Sequence, residues 1–262
     1  MAKQPESQHP TSTSQEKALE VYELLAKDHP TEEEFRVLLK HVSPGVLAKR
    51  YLSTGLPFVF KDQPHKFLAF REALAKIFSV RPQDIAVMGS ARFGFSTNPG
   101  KQSEAGAKQL DHSSDMDLVI VSKTFVDQSL SSFAEYVFSV LRNEESLKSD
   151  AKKPTDTVQL NKEHMLAARR RAKGFSFGYV NPSDLEDGTA EKQLFYDMKR
   201  EAGTQLFGTA PPGPINRIGA WVYKDWDSAE RMYEFSFRQL ARAWKILSPD
   251  DTEEPGEINL DD

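Results

Sequence analysis

The chain of 262 residues carries 34 Lys and Arg against 39 Asp and Glu, a formal net charge of -5, and no cysteine. That balance argues against a general nucleic-acid coat but leaves room for local basic grooves. The lack of cysteine removes disulfides and thiolate metal sites and fits a reducing cytoplasm. No apolar run approaches the roughly 20 residues of a membrane helix.

The opening "MAKQPESQHPTSTSQEK" has no apolar segment of signal-peptide type and reads, over residues 1–15, as a disordered polar lead. Residues 16–27 place apolar groups at helical spacing, and Asp28–Pro30 end that helix. Thr31 before "EEEF" is an N-cap with acids in the first turn, which starts a second helix running to about Val42. Pro44 and Gly45 open a third segment, and residues 65–79 again show helical period. Residues 16–80 therefore form a helical N-terminal region.

The texture changes at residue 84. "DIAVMGS" predicts a short strand ending in a turn. Residues 98–109, rich in Gly, Ser and Lys without an apolar anchor, predict a mobile loop. "MDLVIVS" predicts a strand buried on both faces, as in the middle of a sheet. A helix follows over 124–145, with Phe125, Phe133, Val137 and Leu141 inward. Residues 148–157 read as a loop, 161–172 as a basic helix, "KGFSFGYV" as a strand and 189–207 as a helix. "INRIGAWVYKDW" reads as a strand, 226–247 as a long amphipathic helix, and 249–262 as an acidic tail.

The chemistry concentrates in two stretches. In a strand, residues i and i+2 face one way, so Asp115 and Asp117 of "DHSSDMDLVIV" project together. Two adjacent carboxylates repel when both ionise. A bound Mg²⁺ removes the conflict, since hard cations prefer carboxylate oxygens. Two such ions about 4 Å apart can clamp both oxygens of an in-line phosphoryl displacement. Gly89-Ser90, closing the earlier strand, would let a phosphate approach the backbone, with a helix start in "SARF" and the Ser90 hydroxyl as donors. Taken singly, a Gly-Ser after a strand is an ordinary turn and an Asp-x-Asp an ordinary solvated strand end.

Together, "MGSARFGFS" and "SSDMDLVIVS" resemble the DNA polymerase β-like nucleotidyltransferase superfamily, and within it bacterial stand-alone nucleotidyltransferase-like proteins. The likeness covers about residues 85–125. "FGYVNPSDL" and "RIGAWVYKDWDSAERMY" resemble the same group without a catalytic motif. The pattern and the resemblance together imply an α+β or α/β-like fold: a small mixed sheet of nucleotidyltransferase type over 81–248, with helical N- and C-terminal regions. It implies that Gly89 and Ser90 bind the phosphates of an NTP while Asp115 and Asp117 hold Mg²⁺, or Mn²⁺. The expected activity is nucleotidyl transfer to a protein, RNA or small-molecule acceptor, in a bacterial defence or toxin–antitoxin setting. The alternative is a non-catalytic nucleotide-binding regulatory module.

The superfamily also uses a third carboxylate on a later strand. Neither "GFSFGYV" nor "INRIGAWVY" carries an acid, which leaves Asp184 as the catalytic candidate and Asp156 as a second; a helix cap and a loop residue are their plainer readings. Arg169, Arg170, Arg171 and Lys173 could line a groove or form a solvated face. Lys101 and Lys108 could close over phosphates or simply be solvated. His112 is a lone loop histidine. Trp221, Tyr223, Trp226 and Tyr233 could stack a base but suit packing of the last strand and helix better.

Overall fold

The computed structural model describes residues 12–103, 106–111, 114–150, 166, 168–207 and 215–247. The acidic tail, His112, Asp156, the side chain of Leu141 and the lead before Ser12 lie outside the described residues. The chain is a mixed α+β protein. Three helices, α1 (Ser12–Ala26), α2 (Glu32–His41) and α3 (Pro44–Ser53), come first. Thr31 and Glu34 close a reciprocal capping box on α2, and Ser43 with Pro44 starts α3. Helix α4 (Pro64–Phe78) leads into strand β1 (Ile85–Met88) and a single helical turn, α5 (Ser90–Phe93). A two-residue hairpin, β2 (Gln102–Ser103) and β3 (Gly106–Ala107), precedes strand β4 (Ser114–Val121). Helix α6 (Lys123–Asp150), helix α7 (168–176), strand β5 (Tyr179–Val180), helix α8 (Ala190–Phe207), strand β6 (Ile215–Tyr223) and helix α9 (Trp226–Ala243) complete the described chain. No described helix is long and apolar enough to cross a membrane.

The main sheet has four strands in the order β1-β4-β6-β5. β4 runs antiparallel to β1 and parallel to β6, and β5 is antiparallel to β6. The continuous apolar run of β4 is buried on both faces, as its sequence predicts: Met116, Leu118 and Ile120 enter one core and Val119 the other. The first core joins that face to α4, α6 and α8 through Phe70, Leu74, Phe125 and Met198. The second joins the other face to α2, α3 and α9 through Phe35, Leu38, Tyr51 and Phe237. The helical N-terminal region thus contributes to both cores.

Two expectations need correction. "KGFSFGYV" is mostly not a strand: α7 continues to residue 176, and only Tyr179–Val180 pair with β6. The alternating aromatics there do not share a sheet face. Phe175 packs on Phe133 at 5.6 Å, whereas Phe177 is exposed. The segment 98–109 is also not an untethered loop among its described residues. The Lys108 oxygen accepts from the Ser96 N–H, Ala107 is buried, and Trp244 Nε1 donates to Gln102 Oε1 at 2.9 Å. The Ala107 N–H donates to Glu32 Oε2 at 2.9 Å, and Glu32 in turn pairs with Arg36, whose guanidinium lies 4.1 Å from the Trp244 ring centre.

Candidate functional site

Asp115 and Asp117 stand on one face of β4, with Val119, on the side covered by α9. Asp117 is opposite Met88, the last residue of β1, so the Gly89-Ser90 turn lies directly against its carboxylate. Gly89 is required twice over at this point. Its φ of 65° and ψ of -151° suit glycine almost alone, and a Cβ there would come within 2.4 Å of Asp117 Oδ2. On the other side Asp117 faces Gly219 of β6, where a Cβ would be 3.7 Å from Oδ1. The carboxylate therefore occupies a slot whose walls are backbone. Ser90 is half-buried at the start of α5, but α5 is one turn long, so its dipole is small.

Burial pushes the Asp117 carboxyl up to about 6; the Asp115 charge adds to the rise and the Lys101 ammonium opposes it. Asp115 is partly exposed, yet its Oδ1 is shut off from solvent and accepts no hydrogen bond. The Nε of Arg217 on β6 lies 3.2 Å from that oxygen, an ion pair by distance whose N–H is not aimed at it. Two carboxylates, one with an orphaned oxygen and the other cradled by glycine, make a fitting donor set for one hard cation. Asp115 and Asp117 would hold it, with water and substrate oxygens completing its shell.

Asp184 does not join the pair. It ends a short turn after β5, beyond β6 from β4, where its carboxylate lies 3.8 Å from Arg170 and its backbone oxygen accepts from Arg171 Nε. Lys192 ties the same turn by donating to the oxygens of Pro182 and Ser183. Among the described residues there is no cluster of three acids or histidines suited to a metal. The arginines of α7 that face Asp184 and Glu186 thus hold that turn, and Arg169 and Lys173 are exposed. Lys108 pairs with Asp111 at 3.5 Å. Lys101 is near enough to Asp117 for its charge to oppose the rise of that carboxyl.

The late aromatics pack: Trp221 stands edge-on to Tyr179 at 5.1 Å, and Tyr233 lies 6.4 Å from Phe237. Tyr233 and Tyr223 also sit close enough to Asp117 to feel its charge. Desolvation first, then Tyr223 and the Asp117 charge, raise the Tyr233 phenol well above its usual range. The residue that sequence reading missed is Arg217. It falls beside Asp115 only because β6 pairs parallel with β4 in the register Asp115↔Arg217 and Asp117↔Gly219, and no local pattern announces that pairing. The site and fold define a mixed-sheet protein with a paired-acid strand beside a Gly-Ser turn. No family model, characterised protein or solved structure matches the chain.

Proposed function

We propose that the chain is a nucleotidyltransferase of the polymerase β-like type, binding an NTP with Mg²⁺ and moving its nucleotidyl group to an acceptor hydroxyl with release of pyrophosphate. The observation that supports this reading is the closeness of Asp117 to Gly89: the acid pair of β4 lies against the Gly-Ser turn of β1, where metal ligands and a phosphate cradle would stand side by side. Asp115 and Asp117 would hold the cation, and Gly89 and Ser90 the phosphates. Bound there, Mg²⁺ would supply charge neutralisation at the phosphoryl oxygens. The remaining contribution of the chain is orientation of the α-phosphorus toward the acceptor.

A second reading, a nucleotide-binding regulatory module without turnover, is favoured by one observation: Arg217 and Gly219 flank the pair on β6, with no third acid among the described residues. The test incubates the protein with each α-labelled NTP and Mg²⁺ or Mn²⁺, alone and with bacterial protein, RNA or small-molecule extracts. Metal-dependent transfer of label with pyrophosphate release, lost in Asp115→Asn and Asp117→Asn, supports the transferase. Nucleotide binding without transfer supports the module, and no binding by the folded chain rejects both.

A further inference from the structure

The two positions of β6 that face the acid pair are decisive for how many cations the site can take. Parallel pairing sets Arg217 against Asp115 and Gly219 against Asp117, and partners in such a pair share a face. The register shift falls between Ser114 and Asp115, so Arg217 begins the regular ladder. Its guanidinium reaches Asp115 at 3.2 Å while its side chain stays 76% exposed. The approach is an ion pair by distance rather than an aimed hydrogen bond, so this exposed guanidinium is only loosely committed to Asp115. An arginine there repels a divalent ion that would also seek Asp115, and its fork matches two phosphate oxygens.

We propose that Arg217 is the second cation of the site: the chain binds its nucleotide with a single divalent ion on the acid pair, and Arg217 contacts the triphosphate where a second ion would otherwise lie. This rests on the nucleotidyltransferase reading, and it holds for either a transferring or a merely binding protein. Asp115 then exchanges one partner for another on loading. In the free chain it faces Arg217, and in the loaded chain it faces the metal while Arg217 turns to phosphate.

The test counts Mn²⁺ by electron paramagnetic resonance in metal-stripped protein, with saturating α,β-methylene forms of ATP, GTP, CTP and UTP in turn. The wild type should retain one Mn²⁺ per chain with its preferred nucleotide. Arg217→Asp should admit a second, because the substitution restores an acid beside the pair. Arg217→Gln should bind Mn²⁺ alone more tightly than the wild type, since a competing cation is gone, while losing nucleotide affinity about tenfold, the scale of one lost charge-assisted contact. Arg217 is exposed, so both variants should fold, which circular dichroism checks. Two ions per wild-type chain, or unchanged nucleotide affinity in Arg217→Gln, would overturn this proposal and leave the nucleotide-site reading standing. A wild-type chain that binds neither Mn²⁺ nor nucleotide, just as Asp117→Asn does not, would overturn both.

Discussion

Asp117, pressed between the backbones of Gly89 and Gly219, holds its charge at a cost to the fold. Its carboxyl rises from 3.8 to about 6, first through desolvation and second through Asp115. The folded chain therefore binds an extra proton between those values, so stability falls as pH climbs through that window and stays lower above it. The loss is on the order of 3 kcal/mol, from about 1.4 kcal/mol for each unit. Asp117→Asn is expected to flatten that part of the pH profile and to stabilise the metal-free protein by ~3 kcal/mol at pH 7, read from urea midpoints. Mg²⁺ should raise the melting temperature of the wild type above pH 6 and leave Asp117→Asn unmoved; an equal rise in both would remove the cation from this slot. Gly89→Ala forces a strained backbone and a contact with Asp117 Oδ2, and should cost about 1–3 kcal/mol. Adding Asp117→Ala should recover only the part due to the contact, since the φ of Gly89 remains unsuited to alanine.

At the scale of elements, most of what local sequence carries was legible. The Thr31 cap, the helical period over 65–79 that falls in α4 and the double-sided burial of β4 follow from patterns within a turn or two of chain. The same-face placement of Asp115 and Asp117 needed only the strand period. What was hidden depends on partners far away. The segment holding Lys101 looked untethered because its anchors are Trp244, separated from Gln102 by 142 residues, and Glu32, separated from Ala107 by 75. Arg217 was silent for the same reason, and "KGFSFGYV" misled because an aromatic alternation also fits a helix end running into a turn. The anchors give a measurable expectation. Trp244→Phe keeps the ring but removes the Nε1 donor to Gln102, and Glu32→Gln weakens the hold on Ala107 and Arg36. Each should speed tryptic cleavage after Lys101 several-fold with little change in global stability, consistent with local opening of a few tethered residues. Identical cleavage patterns in the variants and the wild type would show that these bonds do not hold the segment.

Across the whole molecule, the helical N-terminal region is a structural partner of the site. Arg92, in the turn after Gly89-Ser90, is 1% exposed and donates to the backbone oxygens of Tyr51, Thr54 and Leu56. Burial lowers its pKa to about 10, and the nearby Asp28 charge opposes that shift. Asp28 itself accepts from Arg50 and from the Leu56 N–H. One buried guanidinium thus fastens the candidate phosphate turn to α3 and the segment that follows it. Since α2, α3 and α4 also close both cores, a fragment beginning at residue 81 is expected not to fold. Its amide spectrum should lack dispersion, and it should bind no nucleotide. A well-dispersed spectrum would show that the sheet and its later helices form an independent domain.

The parallel pairing of β4 with β6 also has a consequence in time. The two strands that frame the acid pair lie about a hundred residues apart in the chain. Closing so long a loop precedes any reward from the pairing, and such non-local contacts slow folding. During synthesis, β1 and β4 emerge together, but the centre of the sheet stays one-sided until β6 has left the ribosome. The apolar edge of β4 is then open for seconds at ordinary elongation rates of roughly 5–20 residues per second. Pulse-labelled hydrogen exchange during refolding should protect the β1–β4 amides before those bridging β4 and β6, and a chaperone that binds bare strand edges has its natural target in that interval.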